Sequence, residues 1–154
     1  MFAPWIALSR KAISALVSNG APTQLAAGFT IGMIVGLMPK GNLIALSLCV
    51  LLFSLRVNKG LSLIAIVLFT WIGPACDPLA HKLGASVLGS QSLQTCYAAV
   101  FNLPLGPWLG FENTVVTGSL LLGLYIAYPV YWLSRVICER LFVAKDLQLQ
   151  GDAC

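Results

Sequence analysis

Residues 25–55 read LAAGFTIGMIVGLMPKGNLIALSLCVLLFSL, and this stretch decides the architecture. Gly28, Gly32 and Gly36 recur at every fourth position and lead into the polar knot Pro39-Lys40-Gly41-Asn42, after which the chain is apolar again. In a water-exposed helix each glycine costs about 0.8–1 kcal/mol relative to alanine, so three on one face need a compensating reason. A bilayer supplies one. Water does not push helices together there, and small residues let backbones approach closely. The apolar runs 25–38 and 42–55 each hold 14 residues. That is roughly 21 Å of helix at a rise of about 1.5 Å, against a hydrocarbon core of roughly 30 Å. The lengths predict a membrane-embedded hairpin of two short helices over 25–55. Its simplest form re-enters the face it left, with residues 39–42 at the tip; two thin crossings are the alternative.

Composition agrees with that location. Of 154 residues 58% are hydrophobic and 9% charged, and the mean hydropathy is +0.89. Soluble domains carry about 25% charged residues, so a water-soluble fold is nearly excluded, and one all-α membrane domain over 1–154 is expected. The net charge of +4 comes from nine basic residues dispersed singly or in pairs. They form no stripe that would track a phosphate backbone, which argues against nucleic acid and for anionic membrane lipids. The five cysteines (Cys49, Cys76, Cys96, Cys138, Cys154) form no CxxC pair and have one histidine for company. No metal or cofactor is implied. Cys49 reads as a small hydrophobe, and Cys76 and Cys96 are the pair that an oxidising compartment would join. Arg10 and Lys11 follow the first apolar residues without a cleavage pattern, so no secretory signal is read.

Along the chain, residues 2–18 place Phe2, Trp5, Ile6, Ile13, Leu16 and Val17 on one side of a helix, as an interfacial amphipathic helix requires. The 25–55 hairpin closes at Arg56 and Lys59, whose charges mark the cytoplasmic face. A third apolar run opens the segment 61–91, where Pro74 and Pro78 predict a broken helix. Residues 92–113, with Pro104, Pro107, Trp108 and Glu112 and without Lys or Arg, read as a loop or interfacial segment. Residues 114–136 are long enough for one full transmembrane helix. Glu112, Asn113 and Thr114 offer capping chemistry at its start, and Tyr125, Tyr128, Tyr131 and Trp132 form an aromatic belt at its end. A cytoplasmic tail, 137–154, follows. Both termini are expected on the cytoplasmic side, with the chain multi-pass in the membrane.

The run Leu25-Ala26-Ala27-Gly28-Phe29-Thr30-Ile31-Gly32, then Gly36-Leu37-Met38-Pro39-Lys40-Gly41-Asn42, resembles the bacterial integral-membrane family catalogued as domain of unknown function 2062. Leu55-Arg56-Val57-Asn58 and Lys82-Leu83-Gly84 extend the resemblance. Asp77-Pro78-Leu79 and Phe111-Glu112-Asn113-Thr114-Val115-Val116 continue it into a narrower, nearly full-length subfamily. One departure is plain: the broader family commonly shows an Asn-Pro pair after the third apolar run, and here the pair is Gly73-Pro74. The resemblance implies membrane location and carries no catalytic residue.

Three sets of residues are candidates for function. Lys40, Gly41 and Asn42 form a candidate site for an anion or lipid headgroup, because an unpaired ammonium in a bilayer costs about 2.5–3.5 kcal/mol and needs a partner. The plainer reading is a lysine reaching the interface. Asn42 is also placed to cap the second short helix. Asp77 and His81, four apart, form a candidate buried pair or proton relay. Gly28, Gly32 and Gly36 form a helix-packing face. No nucleophile elbow, phosphate loop or paired carboxylates are present, so no enzyme is expected. The expected role is a non-enzymatic membrane component that packs with itself or a membrane partner. The alternative is a small transporter or flippase-like protein handling an anionic solute or headgroup at the hairpin tip.

Overall fold

The computed structural model describes residues 20–151, with side chains described to residue 142. The interfacial helix expected over 2–18 lies outside the described residues. What is described is helical: α1 (Pro22–Leu37), α2 (Leu43–Ser54), α3 (Lys59–Leu88), α4 (Gln91–Phe101), a 3-10 turn (Gly106–Leu109) and α5 (Thr114–Gly151). No strand occurs among the described residues. Two of these helices, α3 and α5, are long and apolar enough to cross a membrane.

Local chemistry explains the boundaries. Pro22 opens α1 at a position where its missing N–H costs nothing. Asn42 starts α2: its Oδ1 accepts from the Ala45 amide at 2.7 Å while its Nδ2 donates to the Pro39 carbonyl at 2.8 Å. Asn58 does the same for α3, accepting from the Leu61 amide at 2.9 Å. Gly41, at φ +100°, makes the reversal between α1 and α2 that a side chain would resist.

The glycines set the packing. A Cβ at Gly28 would meet Ser62 Oγ at 2.7 Å and the Asn58 carbonyl at 2.8 Å. One at Gly32 would collide with the Ser62 carbonyl, and one at Gly36 would lie 2.7 Å from the Phe69 Cβ. The partners climb α3 as the glycines climb α1, so the two helices run parallel with backbones nearly touching. The Asn58 amide also donates to the Gln24 carbonyl, at 3.4 Å, which puts the start of α3 beside the start of α1. The chain must therefore travel back along α2 between them. Helix α5 comes down antiparallel to α3: Gly84 abuts the Thr114 backbone and Gly118 the Ala80 backbone. Lower down, Leu120, Ile126, Ala127 and Val130 pack on the buried cluster Met33, Ile34 and Leu37. Helices α1, α3 and α5 thus form a three-helix bundle, with α2 against its side through Ala45 and Leu48.

Three expectations need correction. Pro74 and Pro78 do not break the third helix, which runs continuously from Lys59 to Leu88. The two prolines lie one turn apart in a helix clamped by α1 below and α5 above, at Gly73, Ala80 and Gly84, all buried. Packing offsets the two lost backbone bonds. Of the two forms expected over 92–113, a loop or an interfacial segment, the loop is the one set aside, since α4 and the 3-10 turn occupy most of it. Helix α5 does not stop at 136. No breaker follows, and the Arg135–Glu139 ion pair at 2.8 Å, one turn apart, supports its continuation.

Candidate functional site

The turn between α1 and α2 gathers the polar chemistry of one end of the bundle. Lys40 does not present a free ammonium. Its Nζ donates to the carbonyls of Val35 (2.9 Å), Gly36 (3.1 Å) and Met38 (3.0 Å). A lysine has three N–H donors, and all three are directed at the carbonyl end of α1. This is a C-terminal cap, stabilised further by the negative end of the helix dipole. Partial burial lowers the Lys40 pKa from its ordinary value, because desolvation disfavours the charged form. At the candidate anion site of Lys40, Gly41 and Asn42, the Lys40 donors are thus engaged within the helix that precedes them.

Asp77 and His81 are not brought together by a hydrogen bond. His81 Nδ1 instead lies 2.6 Å from Thr114 Oγ1, linking α3 to the first turn of α5. Asp77 lines a cavity of about 170 Å³ with Lys40, Thr70, Gly73 and Pro74. Because residues 74 and 78 are prolines, the Thr70 and Pro74 carbonyls lack their usual helical donors. Gly28, Gly32 and Gly36 do form a packing face, but α3 of the same chain occupies it.

A larger cavity of about 380 Å³ lies on the other side of Lys40. Residues 39–42 make one wall; Pro107, Trp108, Gly110, Glu112, Asn113 and Val116 make the other. The walls meet where Gly110, at φ +76°, lies against Asn42: a Cβ there would come within 3.1 Å of the Asn42 Cβ. Asn113 Oδ1 accepts from the Val115 amide at 2.9 Å, capping α5. Among the described residues no group of three or more metal-binding side chains occurs, and Cys49, Cys76, Cys96 and Cys138 are free.

With this geometry in place, comparison with known proteins identifies the family. The model for an uncharacterized protein conserved in bacteria (DUF2062) matches residues 8–145. The chain belongs to the DUF2062 family. An uncharacterized protein of Treponema pallidum (strain Nichols) is 32% identical over 120 residues, covering 78% of this chain and 74% of the relative. No solved structure matches.

Within this DUF2062 chain, sequence reasoning gave no packing role to Gly84 and Gly118, which seat α5 on α3, and no cavity role to Trp108 and Glu112. The glycines stand alone, without the four-residue repeat that exposed the α1 face. Trp108 and Glu112 are distant in sequence from Lys40, and only the descent of α5 brings their loop over the α1–α2 turn.

Proposed function

We propose that this DUF2062 protein is a non-enzymatic integral protein of the bacterial inner membrane, assembling with copies of itself or with a membrane partner. One observation carries the reading: large apolar side chains face outward on α2, α3, α4 and α5, while the closest helix seams are made at Gly28, Gly32, Ser62, Ala80, Gly84 and Gly118. Trp71 and Tyr125 are each 83% exposed, and Leu63, Val67 and Leu68 of α3 and Leu46, Val50 and Phe53 of α2 are exposed as well. Monomeric soluble proteins do not expose contiguous apolar surface on this scale. In hydrocarbon it costs nothing.

The register of the helices supports a crossing for α1 and α2. The tip at Lys40 shares a cavity with Gly73, Pro74 and Asp77. From Lys59 to Asp77 the α3 axis rises about 27 Å, close to the roughly 30 Å thickness of the hydrocarbon core. That rise favours residues 39–42 at the far polar edge, beside Glu112, and two thin crossings over the re-entrant form. Arg56 and Lys59 at the opposite end place that end in the cytoplasm. With four crossings, α1, α2, α3 and α5, both termini lie inside.

The test is accessibility. In a cysteine-free background, Gly41→Cys places a thiol in open space at the tip, and because its φ of +100° resists a side chain, Pro39→Cys beside it serves as the second, unstrained position. A membrane-impermeant maleimide applied to intact cells with a permeable outer membrane should label it, while Arg56→Cys should react only after lysis. Protection of the Gly41 position until lysis would overturn the crossing.

A further inference from the structure

Beyond Gly123 the bundle opens. Helix α5 rests on α1 there, where a Cβ would meet the Ile34 side chain at 3.4 Å, and no further glycine follows in α5 until Gly151. Larger side chains hold the helices apart, leaving an apolar groove of about 440 Å³. Phe29 and Phe69, edge to face with ring centres 5.9 Å apart, make one wall. Val130, Leu133, Ile137 and Leu141 make the other.

Helix register gives the depth of this groove. Gly118 faces Ala80 and Gly84 faces Thr114. Carried down the antiparallel pair, that register sets Val130 beside Phe69 and Ile137 beside Leu61, and all four line the groove. Its upper end thus lies within the apolar belt. Its mouth, at Ile137 and Leu141, straddles the level of Lys59, at the cytoplasmic edge. Ile137 is 49% exposed there and Leu141 56%. Bare apolar surface among lipid tails is neutral, but at this edge it meets headgroups and water, and covering it is favourable. A lipid tail does not supply that cover, because its carbons lie up in the belt and its headgroup at the mouth.

The chain itself enters beside this mouth. A Cβ at Gly20 would lie 3.6 Å from Asn58 Nδ2, and Asn58 caps the turn of α3 that carries Leu61. Residues 1–19 precede that point. Residues 2–18 fall outside the described part of the chain, but their sequence is amphipathic at helical spacing, with Ile13, Leu16 and Val17 on the apolar side and Lys11 opposite. A helix of that length is about 25 Å long, enough to cross the mouth. It would turn apolar side chains to the groove and cations to the headgroups, as an interfacial helix does.

We propose that the groove is closed by the chain's own N-terminal segment, residues 2–18, lying at the interface with Ile13, Leu16 and Val17 over Ile137 and Leu141. The proposal rests on the membrane placement above, from which the level of the mouth follows. Labelling of the hairpin tip tests that placement separately.

Crosslinking of the full chain in native membranes tests the docking. On a chain stripped of its own cysteines, Leu16→Cys or Val17→Cys is combined with Ile137→Cys or Leu141→Cys and treated with a short thiol-reactive crosslinker. Linked products are sorted by size into monomers and dimers, and the joined peptides are identified by mass. A link within the monomer is expected, at least several-fold stronger than from Ser14→Cys, which lies off the apolar side of the same segment. Ile13→Glu puts a carboxylate on that side and should lower the yield several-fold, whereas Ile13→Leu should preserve it. Links found only in dimers give the groove to a second copy and overturn the proposal. Equal linking from Ser14→Cys, or no link from any pair, overturns it as well. If any of these occurs while Gly41→Cys still labels from outside, the docking fails and the membrane placement stands.

Discussion

Lys40 shows how one side chain's role depends on where its neighbours' carbonyls point. As a cation between two apolar runs it reads as a ligand-binding group; with Nζ on Val35, Gly36 and Met38 it is the clasp of α1. Lys40→Met removes three charge-assisted bonds and should destabilise the protein in mild detergent by about 1–3 kcal/mol, with Lys40→Arg recovering part of the loss. Thermal unfolding measures the total, and amide exchange at residues 34–38 should locate it. Unchanged exchange in Lys40→Met would refute the capping role. Asn42 was legible in advance, because an N-cap is a local pattern that asparagine followed by an apolar helix announces. The Lys40 cap was not, since it depends on the turn doubling the chain back at Gly41.

At the scale of elements, the sequence locates the helices well and their interruptions badly. Both short apolar runs of the hairpin became α1 and α2, the third run opened α3, and the one long run became α5. Pro74 and Pro78 misled because a proline's local cost is visible in the sequence, whereas the clamp of α1 and α5 on α3 is a property of the assembled bundle. Pro74→Ala tests that view. It returns a donor to the Thr70 carbonyl and should raise the melting temperature without changing helix content by circular dichroism. A loss of stability would show that the proline turn is itself required for the packing at Gly73.

For the whole molecule, the decisive fact is that the glycine face is filled from within. Gly32→Leu should therefore destabilise the isolated chain by about 1–3 kcal/mol or more, since the Ser62 backbone occupies the space a side chain needs. Any partner must use the outward faces instead, and α2 offers the barest one. Val50→Ala with Phe53→Ala should weaken self-association or partner capture in mild detergent several-fold while leaving the melting temperature of the monomer within about 2 °C, because both side chains are exposed. Intact assembly in the double variant would move the interface elsewhere.

The seating of Gly118 and Gly84 between α5 and α3 has a consequence for biogenesis. Helix α5 follows α1 and α3 in the chain, yet it supplies the third wall for both. A nascent chain that has made only its first three helices holds a finished glycine seam beside an open flank at Ile34, Ala80 and Gly84. Closure of the bundle thus waits for residues well past the seam it completes, and a chain stalled before residue 114 would keep that flank bare.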